Sequence, residues 1–409
     1  MTRAELPPQP MTCLKGEIER IMSFYHPRCI DPAGGYFQFF NPDGSVHDAG
    51  TRHLVSSARM SFNHAVAFEH LQQAQHADAV RHGLTFLRRA HRRPRPGGYA
   101  WILRDGRIHD ASNHCYGLAF VMLAYAKAMA VGIEDTRADL ADTWNLLEAH
   151  FWEPRHGLYA DEATADWVVS PYRGQNANMH LCEAFIAAWR ASGESRFLDR
   201  AALLAHNMVL RQAEQCRGQI WEHYRRDWHI DWDYNRNDRS NIFRPWGLQP
   251  GHQIEWAKLL LQLDRHAPEA WRLERACRLF TTAVELAWDP LHGGLIYGYD
   301  PDGKPYDCDK YSWVQAEAMT TAALLHVRTG ESAFGDWHER IAAYCRQNFV
   351  DPATGCWYRI RHPDNSEKPE PGAFSGLTDY HTLSAYSDLI QSGCEPAGTD
   401  IPIKTGAKP

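Results

Sequence analysis

In Leu248-Gln-Pro-Gly-His252-Gln-Ile-Glu255-Trp256 an imidazole and a carboxylate stand three residues apart. On a helix that spacing puts both on one face, so Glu255 is able to hold the proton and set the orientation of His252. The pair suits general acid/base chemistry, because an imidazole with an unperturbed pKa of about 6.5 exchanges protons near neutrality. It suits equally a core histidine satisfied by a neighbouring carboxylate, since buried charges are paired whatever their purpose. The spacing leaves both readings open.

Such a pair needs elements to position it. Pro250 and Gly251 punctuate the chain, and Ile254, Trp256, Leu259, Leu260, Leu261 and Leu263 then continue as a helix apolar on nearly every side, which predicts burial. A glycine- and aromatic-rich stretch returns six times, as Gly34-Gly35-Tyr36-Phe37, Gly97-Gly98-Tyr99-Ala100-Trp101, His156-Gly157-Leu158-Tyr159, Gly218-Gln219-Ile220-Trp221, Gly293-Gly294-Leu295-Ile296-Tyr297 and Gly355-Cys356-Trp357-Tyr358. Each reads as a short β-hairpin. Between them the periodicity predicts paired helices near 52–72 and 76–92, 112–131 and 135–151, 176–192 and 195–215, 250–265 and 268–287, 312–329 and 332–348, with 376–391 pairing to 12–24. The first member of each pair is the more uniformly apolar and the second carries a charged face, as at Arg81, Arg88 and Arg89. Inner and outer rings of an all-α (α/α)6 barrel follow, closed by the first and last helices. We expect a flexible N-terminus over 1–12, a single barrel domain over 13–393 and a tail over 394–409.

If the inner helices all start at one end of the barrel, polar residues in their early turns converge on one cavity. The sequence supplies Arg59; Asn113, His114 and Tyr116; Asn176, Asn178 and His180; His252 and Glu255; Glu317; and Asp379 with His381. Helix capping does not account for the set, because it calls for Ser, Thr, Asp or Asn at one position.

At this point the motifs become specific. His53-Leu-Val-Ser-Ser-Ala-Arg59-Met60, Tyr172-Arg-Gly-Gln-Asn176-Ala-Asn178-Met179-His180, Pro250-Gly-His252-Gln-Ile-Glu255-Trp256, Glu317-Ala318-Met319 and Asp379-Tyr-His381 resemble those of the N-acylglucosamine 2-epimerase superfamily, in order and spacing, from about Gly34 to about Leu389. They look most like its bacterial mannose isomerase branch, which includes sulfoquinovose isomerase relatives. The resemblance implies an (α/α)6 barrel and cofactor-free, metal-independent interconversion of an aldose with its ketose, D-mannose with D-fructose or D-lyxose with D-xylulose. It implies His252 and His381 as acid/base groups, and Arg59, His180, Glu255 and Glu317 around the sugar, with Tyr116, Asn176 and Trp313 in contact with it. On these roles His381 carries the proton between C2 and C1, and His252, oriented by Glu255, assists ring opening. Val55 departs from the pattern, standing where some isomerase relatives have Trp, which bears on preference at that edge of the sugar. A sugar 2-epimerase is the alternative outcome on the same residues. A carboxylate-based glycoside hydrolase leaves the paired histidines without a task, and a binding protein uses the cavity without turnover.

Composition narrows the partners to small molecules. The 409 residues carry a net charge of -7, which argues against nucleic acid or an anionic membrane surface. The first dozen residues lack an apolar signal region, and the 10 cysteines are scattered without a C-x-x-C pair, so a cytoplasmic protein with reduced thiols is expected, as a monomer or homodimer. No H-E-x-x-H occurs, and His76 and His292 read as solvated surface histidines. Asp231-x-Asp233-x-Asn235-x-Asn237 opens like a calcium loop but lacks the glycine and closing glutamate. The stretch 227–249 therefore reads as a polar lid, with Arg244 capping the site or pairing with nearby acids. Cys115 reads as a buried small hydrophobe.

Overall fold

Helix starts and stops follow local chemistry. Pro250 at the first turn, where its missing N–H costs nothing, opens one helix, and Gly193, Gly330 and Gly393, with φ between +73° and +75°, close three others in the left-handed conformation that glycine adopts freely. The computed structural model describes residues 14–41, 43–238, 241, 243–368 and 379–393. The expected flexible N-terminus and C-terminal tail lie outside the described residues. The helices are α1 (Leu14–Tyr25), α2 (Leu54–Leu71), α3 (Ala74–Phe86), α4 (Cys115–Ala130), α5 (Arg137–His150), α6 (Gln175–Ser192), α7 (Ser195–His206), α8 (Pro250–Asp264), α9 (Ala270–Ala287), α10 (Ser312–Thr329), α11 (Ser332–Asn348) and α12 (Tyr380–Ser392). Outer helices α3 and α7 end in π-helical turns over Leu87–His91 and Asn207–Gln212.

The even-numbered helices form the inner ring. Each packs on the next, and α12 packs back on α2, while α3, α5, α7, α9 and α11 lie outside their partners. α1 is the outer stave against α2 and α12, which closes the (α/α)6 barrel. Burial explains the division. Every residue of α8 except Gln262 is buried, whereas α7 buries only Phe197, Ala201, Leu204 and Ala205 along one stripe.

The expected short hairpins form at several of the glycine-aromatic stretches: Phe39–Phe40 pairs with Val46–Asp48, Ile102–Arg104 with Arg107–Asp110, Trp152–Glu153 with Leu158–Tyr159 and Gly298–Tyr299 with Pro305–Asp307, all antiparallel. The stretch as a whole does more than close a hairpin. It folds back on the end of the preceding outer helix, with the N–H of Phe37, Ala100, Ala160, Ile296 and Tyr358 donating to the C=O of Cys29, His91, Phe151, Ala287 and Phe349. Gly35, Gly98, Gly157, Gly294 and Gly355 turn the chain there at φ from +61° to +85°. Further ladders run between repeats: Thr51–His53 pairs with Ile102–Arg104, Asn113–His114 with Glu162–Ala163, Arg173–Gly174 with His223–Tyr224, and Lys310–Tyr311 with Ile360–Arg361, all antiparallel. The first strand of each pair runs directly into an inner helix, so these ladders hold the inner-helix N-termini at one end. Turn chemistry specifies the bend but not a partner strand about 50 residues away, which tertiary packing selects.

Amides add a second fastening. Asn178, Gln253 and Gln315 occupy the fourth position of α6, α8 and α10, and each side chain bonds both the N–H and the C=O of one turn residue, Tyr159, Ile220 and Leu295, at 2.7–3.0 Å. Asn178, expected among the cavity residues, is therefore scaffold.

His76 is not a surface residue; it is 2% exposed between α2 and α3. Burial holds His53, His76, His91, His223 and His381 at about 4. A base with a depressed folded pKa binds protons more tightly when unfolded, so its contribution to stability is present above about 6.5 and lost as pH falls toward 4. Asp161 and Asp379, pushed up to about 6 by burial, oppose this trend but are outnumbered. The expected result is a Tm that falls by on the order of 10 °C between pH 6.5 and 4, followed by calorimetry. A flat profile over that window would contradict the neutral state of these buried rings.

Candidate active site

His252 lies in the first turn of α8, and its Nδ1–H donates to the carboxylate of Glu222, 3.0 Å from both oxygens. Glu222 sits beside the strand His223–Tyr224, and its Oε2 also accepts from Gln175 Nε2 at 3.0 Å, while Gln175 Oε1 accepts from Trp256 Nε1 at 2.8 Å. The expected partnership of Glu255 with His252 is thus corrected. Side chains of one helix face lean toward its N-terminus, so His252, at the helix end, reaches the neighbouring strand, and Glu255, a turn further in, meets α12 instead. There it lies 3.8 Å from His381 Nδ1.

His381, on α12, donates from Nδ1 to Glu317 Oε1 on α10 at 2.8 Å. The other Glu317 oxygen is 2.5 Å from Lys258 Nζ, an ammonium 2% exposed. Burial alone would push the Glu317 carboxyl up, but Lys258 and the His381 N–H hold it below the usual carboxylate range. Burial outweighs Glu317 at His381 and lowers the imidazole to about 4. The ring is therefore neutral near pH 7, with its proton on Nδ1 and the Nε2 lone pair available. Burial, and then the charge of Glu317, push the Glu255 carboxyl well above its ordinary range, so Glu255 is a proton carrier beside an ionised neighbour.

Trp313, second residue of α10, touches both histidines, with ring centroids 5.0 Å from His252 and 5.5 Å from His381. It lies against bare backbone, for a Cβ at Gly251 would collide with the indole. From α2, Arg59 stacks over Phe120 at 4.2 Å and Tyr380 at 4.8 Å, and donates to the Tyr116 hydroxyl at 3.0 Å. His180, on α6, is 6.4 Å from His381 between ring centroids and 5.2 Å from Tyr116. Its Nδ1–H donates to Glu183 at 2.9 Å, and Tyr380 donates to the other oxygen at 2.6 Å. Burial would raise the Glu183 carboxyl, yet its bond from His180 and the nearby Lys258 bring it to about 2.

Arg59, Tyr116, His180, His252, Glu255, Trp313, Glu317 and His381 are thereby linked. Asn176 starts the same helix as His180, and its Oδ1 is buried without a partner, as are Arg59 Nε and Glu255 Oε2. Buried polar atoms are nearly always bonded, so three unsatisfied atoms on expected sugar contacts fit groups whose partner is a ligand. Others of the expected set do structural work: Asn113 bonds Arg93 and Thr164, His114 stacks on Trp101, and Asp379 bonds Tyr25 and Trp357. In the expected lid, Arg244 pairs with Glu162 at 2.5 Å and covers the Tyr172 ring at 4.1 Å. An open depression of about 430 Å³ lined by Arg236, Trp246 and Tyr306 lies beside this loop and includes none of the linked residues. Glu255, Glu317 and His381 have ligand atoms within 4.8 Å of one another, and Lys258 already supplies a positive charge on Glu317.

The model of the N-acylglucosamine 2-epimerase family matches residues 35–385. The chain belongs to this family. It is 49% identical to the D-mannose isomerase of Marinomonas mediterranea over 383 residues, covering 93% of this chain and 97% of that protein. A crystal structure of D-mannose isomerase superposes with a TM-score of 0.92 at 48% identity, over 95% of this chain and all (100%) of that one. The cellobiose 2-epimerase of Bacillus thermoamylovorans, at 20% identity and a TM-score of 0.80 over 92% of this chain and 98% of its own, shares the fold. The sequence motifs did not bring forward three carriers of charge in this network, Glu222 on His252, Lys258 on Glu317 and Glu183 on His180. Glu222→Gln is expected to scramble the His252 tautomer and lower kcat by roughly 10- to 100-fold with KM little changed. A variant as active as the parent would show that His252 needs no anionic partner.

Proposed function

We propose that the protein is an aldose-ketose isomerase that interconverts D-mannose and D-fructose, with D-lyxose and D-xylulose as further substrates. The observation that carries the reading is a matched pair of imidazoles, each tied through Nδ1 to a buried carboxylate and each in contact with Trp313. Its nearest support outside the chain is the likeness to D-mannose isomerases over almost the whole length.

In this mechanism Nε2 of His381 takes the C2 proton of the open-chain aldose, electrons move into the C1–C2 bond and onto O1, and the same nitrogen returns the proton to C1. The C2 hydroxyl gives up its proton as the ketone forms, and O1 gains one. His252, held by Glu222, assists ring opening and these oxygen transfers, and protonated Glu255 is a nearby donor. Arg59 and His180 stabilise the developing oxyanion, while Tyr116, Asn176 and Trp313 orient the sugar. Lys258 keeps Glu317 ionised, so His381 stays in the tautomer that leaves Nε2 basic. The protein acts in the cytoplasm on this reading, supported by unpaired cysteines; no helix among the described residues is long and apolar enough to cross a membrane.

One NMR time course in D₂O with mannose, fructose, glucose, lyxose and N-acetylmannosamine tests the proposal. Fructose forming from mannose, with deuterium or transferred hydrogen at C1, is the expected result. Interconversion of glucose with mannose, or of the N-acetylated sugars, without ketose accumulating would make it a 2-epimerase. Binding without exchange at C2, or release of reducing ends from oligosaccharides alone, would overturn the reading.

A further inference from the structure

Three histidines outside this machinery face one another where α1, α2 and α3 meet. His26 follows α1, His64 lies in the middle of α2 and His76 in the first turn of α3. Their ring centroids form a nearly equilateral triangle, with sides of 5.6 Å (His26 to His64), 5.4 Å (His26 to His76) and 5.3 Å (His64 to His76). Each contributes one nitrogen to a set lying within 4.8 Å. Three imidazoles on one zinc ion, at ~2.0–2.1 Å per bond, would put their centroids roughly 5.2–5.5 Å apart. The rings thus already have the mutual spacing of ligands on a common ion, and binding asks for rotation rather than approach.

The alternative is a histidine pair and a bystander. His64 and His76 do share a hydrogen bond, Nδ1 to Nδ1, at 3.0 Å. That leaves the Nδ1 of His26 buried and without a partner, a cost of about 1–3 kcal/mol that is ordinarily avoided. An ion in the centre satisfies all three nitrogens at once. Burial lowers all three imidazoles below their ordinary pKa, so they are neutral ligands at pH 7. On the far side of the His64 ring, Cys29 Sγ lies 3.5 Å from Nε2. An Nε2–H donated to that sulfur turns the Nδ1 lone pair toward the cluster, the arrangement that outer partners of metal-bound histidines provide. His64 and His76 are buried and His26 is partly buried, so the cluster lies at the edge of the core, and three imidazoles leave a fourth position on the ion for water.

We propose that His26, His64 and His76 form a binding site for a divalent transition-metal ion of the zinc class, fastening the closing stave α1 to α2 and α3. The site is structural and independent of the isomerase reading, since none of the proposed catalytic groups contributes to it. The test uses the full chain, stripped with chelator and titrated with ZnCl₂, then with CoCl₂ as a spectroscopic probe. The expected result is one equivalent of zinc retained per chain after desalting, a Tm raised by a few degrees, and a visible cobalt spectrum of a nitrogen-rich, four-coordinate site. His26→Ala, at the partly buried position, is expected to weaken zinc binding at least 10-fold while keeping the parental isomerisation rate and the metal-free Tm; His76→Gln, buried against His64, is expected to weaken zinc binding at least 10-fold with the isomerisation rate kept. No saturable binding by the parent chain would overturn the proposal. So would zinc held at unchanged stoichiometry and affinity in His26→Ala, which would put the ion elsewhere.

Discussion

Substitution of His381 by Asn yields a folded protein whose kcat on mannose falls by ~10²- to 10⁴-fold, the contribution of a positioned general base. Deuterium exchange at C2 should disappear in step with turnover, because in the proposed mechanism the imidazole accepts the carbon-bound proton. Asn is the informative replacement: its amide can still donate to Glu317 and occupy the ring's place, but offers no basic nitrogen. Mannose binding should change little, since His180, Arg59 and Trp313 remain. His252→Asn, by contrast, is expected to slow ring opening more than exchange, so supplying the open-chain form rescues part of its deficit. Exchange at C2 that persists in His381→Asn and vanishes in His252→Asn would reverse the two roles.

The second large effect falls on a residue that touches no substrate in this scheme. Lys258→Met leaves Glu317 ionised and buried without its ammonium partner, and breaking such a pair costs about 3–5 kcal/mol. Part of that cost is avoided when Glu317 takes up a proton, but His381 then loses its anionic acceptor and kcat falls as well. Denaturant melts of Lys258→Met, Glu317→Gln and the double variant separate the two consequences. The double variant should recover most of the stability and none of the activity, because the charge is gone and the tautomer control is gone with it. An unchanged unfolding midpoint in Lys258→Met would mean the 2.5 Å ion pair contributes no coupling.

The barrel was legible because it is written in periodicities. Helix bounds near 312–329 and 332–348 coincide with α10 and α11 as observed, and the apolar bias of the first member of each pair separates inner ring from outer. The converging set was legible in part: its phase located Arg59, His180, Glu255, Glu317 and His381, whereas the same phase also selects Asn178, whose amide is consumed by Tyr159. A short amide at the fourth helical position can strap a turn or face a cavity, and sequence does not distinguish them. Glu222 escaped because its partner is 30 residues away and on another element. The available signal was its isolation, one carboxylate amid Gly218-Gln-Ile-Trp221 and the strand that follows. Pairing His252 with Glu255 failed for the reason that counting residues gives a helix face but not the direction in which a side chain leans. His76 looked solvated because a polar outer helix was expected around it; the local cluster with His26 and His64 has no signature in spacing.

The contact between Gly251 and Trp313 makes the indole a gauge block. With no methyl group to hold α8 and α10 apart, one flat ring rests on bare peptide and lies 5.0 and 5.5 Å from the two imidazoles, a rigid spacer between them. On the proposed mechanism a substrate that pushed the indole aside would disturb its contact with both imidazoles at once, so the room for a sugar would be governed in the frame of the ring wall and not by the loops.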